Sequence, residues 1–343
     1  MTDIHIRTVG QTGRITLTRP KALNALSYQM CLEIEKALDG WAEDDAVKML
    51  VIDAEGDRAF CAGGDIQEMY DTAKAGNYDY GRTFWRDEYR MNAKMFEFPK
   101  PVASFLQGFT MGGGVGVGCH GSHRVVGDTC QISMPEVAIG LIPDVGGTYI
   151  LGKSPDHLGE YLGLTAARLD AGDAIFAGFA DYYIPETDWP ALIAQLEETG
   201  DHSLIDAAAT PAPDGKIASH LSAINAHFAG STLLDIVNSL KSDESEFASK
   251  TLKTLGRNSP LSMACTVELV RRARAFQSIR PALEQEFRFT YRSGEHGEFI
   301  EGIRAAIIDK DRSPQWQHGL DEPPLAMVTK MLMPLGADKL NFD

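Results

Sequence analysis

The chain has little positive charge and no long apolar run. Its 32 Lys and Arg residues stand against 48 Asp and Glu residues, which gives a formal net charge of −16. This balance repels nucleic-acid phosphates and anionic lipid surfaces, so neither is expected as a partner. No segment approaches the roughly 20 apolar residues of a membrane-spanning helix, and the N-terminal residues do not resemble a secretory signal. We therefore expect a globular protein of the cytoplasm.

Cysteine is scarce as well. The five cysteines are scattered and form no C-x-x-C pair, which argues against a disulfide framework and predicts reduced, packed thiols. Cys119, His120 and His123 lie close together in the sequence, but no further Cys or His cluster completes a metal coordination shell. We expect these three side chains to be packed or hydrogen-bonded, and we predict no metal.

Several familiar catalytic and nucleotide-binding motifs are missing. The chain has no G-x-S-x-G nucleophile elbow and no phosphate loop ending in Gly-Lys-Ser or Gly-Lys-Thr. A G-x-G-x-x-G pattern spans residues 116–121, with Glu136 further along. Additional glycines precede it, and we interpret the segment as a helix that continues through Cys119 and His120, whereas a dinucleotide fingerprint begins directly after a strand. Dinucleotide binding is therefore not favoured.

Strand and helix patterns divide the chain into two regions. Short alternating or apolar runs typical of strands, such as "IHIRTV" and "PVASFLQG", are interleaved with helical spacings in the first half. After the loop-like "TPAPDG", most segments have helical spacing. The sequence predicts an α/β core at residues 1–195 and a mostly helical region at residues 196–343.

Two glycine-rich turns are the first candidates for function. "CAGGD" (61–65) and "MGGG" (111–114) each follow a predicted strand and open a predicted helix. Backbone N–H groups at a helix start have no intrahelical partner, so two such turns facing each other could form an oxyanion hole. Glycine lets a substrate approach the backbone because it has no Cβ. The alternative is that these glycines only allow close helix packing.

Two acidic residues are the second candidates. Glu136 and Asp144 lie in "MPEVAIGLIPDVGGTYIL", both next to a proline and among apolar residues. Desolvation in such surroundings disfavours a charged carboxylate and moves its pKa towards the range useful for acid–base catalysis. The alternative is that both are surface charges near helix starts.

Three stretches, "AFCAGGDIQEM", "GFTMGGGVGVG" and "MPEVAIGLIPDVGGTYIL", together resemble the crotonase (enoyl-CoA hydratase/isomerase) superfamily. The resemblance implies a spiral of repeated ββα units and a coenzyme A thioester as substrate, with no separate cofactor. It also implies an oxyanion hole formed by the backbone amides of Gly64 and Gly113. Many members are oligomeric, so a homo-oligomer is expected.

The resemblance also distinguishes between reactions. Hydratases of the superfamily use two glutamates; the second aligns with Glu136, but the first falls on Gly116, and dienoyl-CoA isomerases also place an acid there. Gly116 together with Glu136 and Asp144 resembles the branch that hydrolyses 3-hydroxyisobutyryl-CoA in valine degradation. The stretches "WRDEYRMNAKMFEFPKP", which contains Glu88, and "FIEGIRAAIIDKDRSPQW" support that branch. Hydratase or isomerase activity, or a non-catalytic binding or assembly role, are the alternatives.

By the same resemblance, Glu136 is the general base or nucleophile, Asp144 assists it, and Glu88 holds the substrate hydroxyl. The coenzyme would lie along "KALNAL" and the backbone of residues 62–66. The implied substrate-binding residues are Lys21, Leu23, Ala62, Gly63, Asp65 and Ile66. Lys21 and Lys310 are candidates for the coenzyme phosphates.

Overall fold

The computed structural model describes residues 3–322 and 324–342, which form two compact units. The first unit comprises the described residues up to Asp65, together with Asp87–Ser133 and Arg168–Ala218. The second comprises Ile66–Arg86, Met134–Ala167 and the described residues from Ser219 onward. Each unit is therefore assembled from separate stretches of the chain, and the predicted boundary at residue 195 stays a prediction.

The first unit contains two sheets. A six-stranded sheet has the order β1-β2-β3-β5-β7-β9, and a three-stranded sheet has the order β4-β6-β8. All pairs are parallel except β1 with β2. The strands are β1 (Ile4–Val9), β2 (Thr12–Leu17), β3 (Met49–Ala54), β4 (Ala59–Cys61), β5 (Val102–Leu106), β6 (Phe109–Met111), β7 (His123–Val126), β8 (Gln131–Ser133) and β9 (Tyr182–Tyr183).

Helices separate these strands and form most of the second unit. They are α1 (Tyr28–Ala42), α2 (Gln67–Lys74), α3 (Asp79–Phe96), α4 (Gly113–Gly118), α5 (Gly147–Lys153), α6 (Leu158–Thr165), α7 (Ala171–Phe176), α8 (Trp189–Thr199), α9 (Ser203–Ala208), α10 (Leu221–Phe228), α11 (Leu233–Lys241), α12 (Glu246–Leu255), α13 (Pro260–Ala273), α14 (Arg280–His296), α15 (Phe299–Ile303) and α16 (Leu325–Leu332). Short 3-10 segments and one π-helical turn, Arg304–Ile308, complete them. None of the helices in the described residues is long and apolar enough to cross a membrane.

A strand of the large sheet is repeatedly followed by a strand of the small sheet and then by helix. The series β3, β4 and α2 is one example, and β5, β6 and α4 is another. This repetition confirms the predicted ββα organisation. Because the strands of the small sheet are parallel, their carboxyl ends lie at one edge of that sheet.

Apolar side chains from the large sheet form the core of the first unit together with α8. Val51 and Phe105 lie on the sheet, and Trp189 and Leu196 pack against them from α8. The Phe105 and Trp189 rings meet edge to face with centroids 5.3 Å apart, a favoured aromatic geometry. This packing fixes the long strands from which the short strands continue.

Helix α13 lies at the centre of the second unit and packs against α5 and α6. Its N-cap, Ser259, is fully buried and accepts a hydrogen bond from the Ser262 amide. The buried Glu160 of α6 forms ion pairs with Arg271 at 3.2 Å and Arg274 at 2.6 Å. A buried carboxylate needs such partners, so these pairs join α6 to the end of α13.

The prediction that the helix continues through Cys119 and His120 was wrong. Helix α4 ends at Gly118, and the Cys119 amide makes its last helical bond, to Val115. A Cβ on Gly121 would lie 2.8 Å from the carbonyl oxygen of Val102, so the chain there passes directly over the start of β5. The glycines that open α4 also weaken it as a helix, so the chain leaves the helix early and turns towards β7.

The five cysteines, Cys31, Cys61, Cys119, Cys130 and Cys265, are all free and buried, which confirms the expectation of reduced thiols. Among the residues considered for metal binding, Cys119 is a thiol whose pKa is raised to about 12 by burial. His120 packs edge-on against the ring of Phe96, and His123 stacks on Tyr182. Their contacts are those of packed side chains.

Candidate active site

The two glycine turns come after neighbouring strands. Strands β4 and β6 are paired in parallel, with Ala59 opposite Phe109 and Cys61 opposite Thr110. The turn at 62–65 comes after β4, and Gly112 comes after β6 and leads into α4. Because the carboxyl ends of parallel strands meet at one edge, the fold brings together the two turns that the sequence singles out.

The first turn, residues 62–65, is hydrogen-bonded to Leu26 through Gly63 and Asp65 and not through the Gly64 amide. Leu26 donates to the carbonyl oxygen of Gly63 at 2.9 Å and accepts from the Asp65 amide at 2.8 Å, so it forms an isolated parallel bridge with Gly64. Neither bond uses the Gly64 N–H. Gly63 has a φ of 118°, a conformation that L side chains rarely adopt, and it directs the chain into this geometry.

The second turn places Gly113 against Gly64. Gly113 is the first residue of α4, so its N–H has no partner within the helix. A Cβ built on Gly113 would lie 3.2 Å from the Gly64 amide nitrogen and 3.1 Å from Oε1 of Glu88. The position beside the Gly113 Cα is therefore bordered closely by both a backbone donor and a carboxylate. A carbonyl oxygen admitted here can be stabilised by backbone N–H groups.

Other glycines of the run serve close packing, the alternative that the sequence left open. A Cβ on Gly114 would lie 2.2 Å from the carbonyl oxygen of Cys61, and one on Gly118 would lie 2.7 Å from the Phe60 ring. Neither distance is sterically allowed. The run "MGGGVGVG" thus combines Gly113, whose amide is a candidate donor, with Gly114 and Gly118, which let α4 pack closely against β4.

Glu88 is a buried carboxylate of α3, with 4% of its surface exposed. Burial raises the pKa of the nearby Cys61 thiol to about 12, and the negative charge of Glu88 adds to the rise. Cys61 donates weakly to the Gly63 carbonyl at 3.6 Å. It is therefore a protonated thiol that supports the turn, not a nucleophile.

The implied coenzyme-binding residues of the first unit lie around the same turn. The Ala62 amide donates to the Leu23 carbonyl at 3.0 Å. The Asp65 carboxylate forms an ion pair with Arg19 at 3.0 Å, so it orders the loop rather than presenting a free charge. Lys21 is exposed in the 3-10 turn Pro20–Ala22.

The buried Asn24 holds this loop against the start of β4. Its side-chain amide donates to the carbonyls of Glu55 and Ala59, both at 2.9 Å, and its Oδ1 accepts from the Arg19 amide at 2.8 Å.

Two further predicted residues belong to the second unit, where Ile66 precedes α2 and Lys310 is exposed.

The second unit carries the predicted catalytic carboxylates, and both are buried. Glu136 and Asp144 are each 4% exposed, which excludes the alternative that they are surface charges. Glu136 opens the 3-10 turn Glu136–Ile139. The Val137 carbonyl of that turn accepts from the Ser259 amide at 2.9 Å, so the start of α13 holds it.

Asp144 begins a tight turn that leads into α5. Val145 and Gly146 come next, with φ of 52° and 81°, and the Gly147 amide closes the turn on the Asp144 carbonyl at 2.6 Å. The carboxylate of Glu286, on α14, accepts hydrogen bonds from the Gly146 and Thr148 amides. Sequence reasoning missed Glu286.

A signal for Glu286 was present in the sequence. Leu283, Phe287 and Thr290 are buried at helical spacing on α14, and Glu286 lies on the same stripe. An acidic residue on an apolar stripe is unusual, since carboxylates are seldom fully buried without partners.

Comparison with known proteins identifies the family of this chain. The family model described as "Enoyl-CoA hydratase/isomerase" matches residues 12–332. The chain belongs to this family. The predicted resemblance to crotonases, and with it the crotonase fold, is thereby confirmed.

Individual members of the enoyl-CoA hydratase/isomerase family carry different descriptions. The 3-hydroxyisobutyryl-CoA hydrolase, mitochondrial, of Gallus gallus is 35% identical over 99% of this chain and 91% of its own length. A solved structure described as an enoyl-CoA hydratase from Rhodobacter sphaeroides is 52% identical, with a TM-score of 0.95, and covers 99% of this chain and 100% of its own. Another, described as a carnitinyl-CoA dehydratase from Mycobacterium thermoresistibile, is 38% identical, has a TM-score of 0.95 and covers 100% and 99%.

Proposed function

We propose that this chain hydrolyses a short-chain 3-hydroxyacyl-CoA thioester, with 3-hydroxyisobutyryl-CoA as the first candidate, to the free acid and coenzyme A. The observation that carries hydrolysis over hydration is Gly116. It is buried inside α4, and the crotonase resemblance aligns it with the first glutamate of a hydratase. The near full-length likeness to the Gallus gallus hydrolase supports the same reaction.

In this reaction the Gly64 and Gly113 amides stabilise the negative charge that develops on the thioester oxygen. Glu136 either removes a proton from the attacking water or attacks the carbonyl carbon itself, giving an anhydride that water then opens. The carbon–sulfur bond breaks, and the sulfur leaves as the thiol of coenzyme A. Asp144 assists the orientation of water or substrate and the transfer of the proton.

Hydration of an unsaturated acyl-CoA is the second candidate, because the Rhodobacter sphaeroides protein is described as a hydratase and is 52% identical. Hydratases of this family use two catalytic glutamates, and this chain has a glutamate at one of the two positions, Glu136. The missing carboxylate at residue 116 is therefore the feature on which the two proposals differ.

A thioester panel decides between them. Release of free thiol is measured for 3-hydroxyisobutyryl-CoA, 3-hydroxypropionyl-CoA and isobutyryl-CoA, and loss of conjugated-enoyl absorbance is measured for crotonyl-CoA. We expect rapid thiol release from the hydroxylated thioesters and little change in absorbance. Absorbance loss without thiol release would overturn hydrolysis in favour of hydration, and neither signal would favour a non-catalytic role.

Glu88 is expected to act on the substrate hydroxyl, since its carboxylate lies close to the Gly113 turn, with Oε1 3.1 Å from the position of a Gly113 Cβ. Changing Glu88 to Gln removes a charged hydrogen-bond acceptor while keeping its shape. We expect kcat/KM to fall about 10- to 100-fold for 3-hydroxyisobutyryl-CoA, because hydrogen bonds to charged groups contribute about 1.5–3 kcal/mol. For isobutyryl-CoA, which lacks the hydroxyl, kcat/KM should change much less. An equal fall for both thioesters would contradict this role.

Three accompanying predictions stay proposals: a cytoplasmic location, a homo-oligomer, and a reaction that needs no cofactor besides the coenzyme A of the substrate. Lys21 and Lys310 are proposed to meet the coenzyme phosphates.

A further inference from the structure

Glu286 is a buried carboxyl group to which the proposed reaction assigns no role. It is 0% exposed and accepts hydrogen bonds from the amides of Gly146 at 2.8 Å and Thr148 at 3.0 Å, and from the Thr148 hydroxyl. These partners are neutral. A carboxyl buried among neutral partners is costly for the folded state, so its placement calls for an explanation.

The segment that Glu286 holds is the turn that carries Asp144. Val145 adopts a left-handed φ of 52°, which is rare for a β-branched side chain and persists only where the surroundings enforce it. The two amides bound by Glu286 lie directly after that residue, at the point where the turn becomes α5. Glu286 thus fixes the backbone conformation immediately after Asp144.

We infer that Glu286 is a positioning residue for Asp144: it holds the 144–148 turn so that the Asp144 carboxyl keeps its orientation during turnover. The inference rests on the proposed function, because it assumes that Asp144 takes part in thioester hydrolysis.

The protonation of Glu286 is consistent with this role. Burial raises the pKa of Glu286 to about 8, the hydrogen bonds from Thr148 and Gly146 oppose the rise, and the charge of Asp144 adds to it. Near neutral pH, Glu286 is therefore mostly protonated and adds no second negative charge beside Asp144. The Thr148 hydroxyl can donate to the carboxylate or accept from the acid, so the contact persists in both states.

Other charged side chains near α14 are engaged elsewhere. The helix packs against α5, α13, α15 and α16. On these elements, Lys153 donates to the carbonyls of Arg274 and Phe276, Arg271 pairs with Glu160, Arg272 pairs with Glu268, Glu301 pairs with Arg304, and Lys330 is exposed. Asp144 is the charged group that raises the pKa of Glu286 in addition to burial.

Glu286→Gln tests the inference in the full-length enzyme. The glutamine can accept one of the two amides but presents its own N–H groups to the other, so the turn loosens. We expect kcat for 3-hydroxyisobutyryl-CoA to fall about 10- to 100-fold, as for a slightly misplaced catalytic group, with a much smaller change in KM. The wild-type rate should decline above a pH of about 8, because an ionised Glu286 adds a second negative charge beside Asp144, and the variant should lack that decline.

Stability against pH gives a readout that does not depend on activity. Because the pKa of Glu286 is raised from 4.5 to about 8, the folded state keeps a proton that the unfolded chain releases. Its contribution to stability is therefore full below about pH 4.5 and is lost as the pH rises towards 8. Denaturant unfolding of the wild type relative to Glu286→Gln should show this loss across that range.

Asp173→Asn is the matched control, because Asp173 is also buried, has a pKa raised by burial, and accepts the Ile217 amide at 2.8 Å in the first unit. If Glu286→Gln and Asp173→Asn show the same kcat and pH–rate profile, the inference is overturned. If Glu286→Gln does not fold, Thr148→Val and Thr148→Ser decide: kcat lower in the valine variant supports the inference, and equal kcat overturns it. A wild type that releases no thiol from any thioester instead refutes the proposed function.

Discussion

Replacing Glu136 with glutamine should lower kcat for release of thiol from 3-hydroxyisobutyryl-CoA by about 10² to 10⁴-fold, the usual contribution of a positioned acid or base. Glutamine keeps the shape of the side chain but can neither take a proton from water nor attack the carbonyl carbon. Because Glu136 is 4% exposed on a turn held by the start of α13, the substitution should leave the fold and substrate affinity largely intact.

The chain offers a matched control for this experiment. Glu186 also comes directly after a proline and also opens a 3-10 turn, Glu186–Asp188, but its carboxylate accepts from the amide and hydroxyl of Thr129 at 2.8 and 2.6 Å. Glu186→Gln should leave kcat within about two-fold of the wild type. Activity of Glu136→Gln equal to that of Glu186→Gln would remove Glu136 from the mechanism. Circular dichroism and binding of a non-hydrolysable acyl-CoA complete the comparison.

The repeated part of the fold could be predicted because its signals are local. Serine is a favoured N-cap residue, and Ser27 accepts from the Met30 amide at the start of α1. The strand "IHIRTV" corresponds to β1 at Ile4–Val9. In each case neighbouring residues determine the element, through a cap or an alternating apolar pattern.

The glycine run shows where local reasoning fails. Its density indicated a special backbone but could not divide the run between functions, since Gly113 faces Gly64 and Glu88 whereas Gly114 faces the Cys61 carbonyl. Those neighbours are distant in sequence and meet only when β4 and β6 pair. The same limit explains the missed Glu286, whose partners at Gly146 and Thr148 lie about 140 residues away.

Burial of the two carboxylates was predictable in kind but not in cause. The prolines and apolar residues around Glu136 and Asp144 indicated that both carboxylates are shielded from solvent. The Ser259 amide, which donates to the Val137 carbonyl, and the Glu298 backbone, which lies against Gly140, come from the starts of the C-terminal helices α13 and α15. No motif in the sequence indicates which of those helices reaches this segment.

Replacing Gly113 with alanine should lower kcat/KM about 10² to 10³-fold, comparable to the loss of one oxyanion donor. The added methyl group would lie 3.1 Å from Oε1 of Glu88 and 3.2 Å from the Gly64 nitrogen, so it would crowd the amide proposed to donate to the thioester oxygen. The loss should appear mainly in kcat, since the oxygen gains its charge in the transition state.

Gly40→Ala is the control for the effect of a methyl group on a helical glycine. Gly40 lies in α1, and a Cβ there meets nothing within 4 Å, so the substitution should stabilise the fold by about 0.5–1 kcal/mol and leave turnover unchanged. If Gly113→Ala folds like the wild type and keeps its kcat/KM, the thioester oxygen does not approach this turn, and the oxyanion role of Gly113 is wrong. If only Gly113→Ala loses activity while both variants stay folded, the position of the methyl group, rather than the loss of a glycine, is the cause.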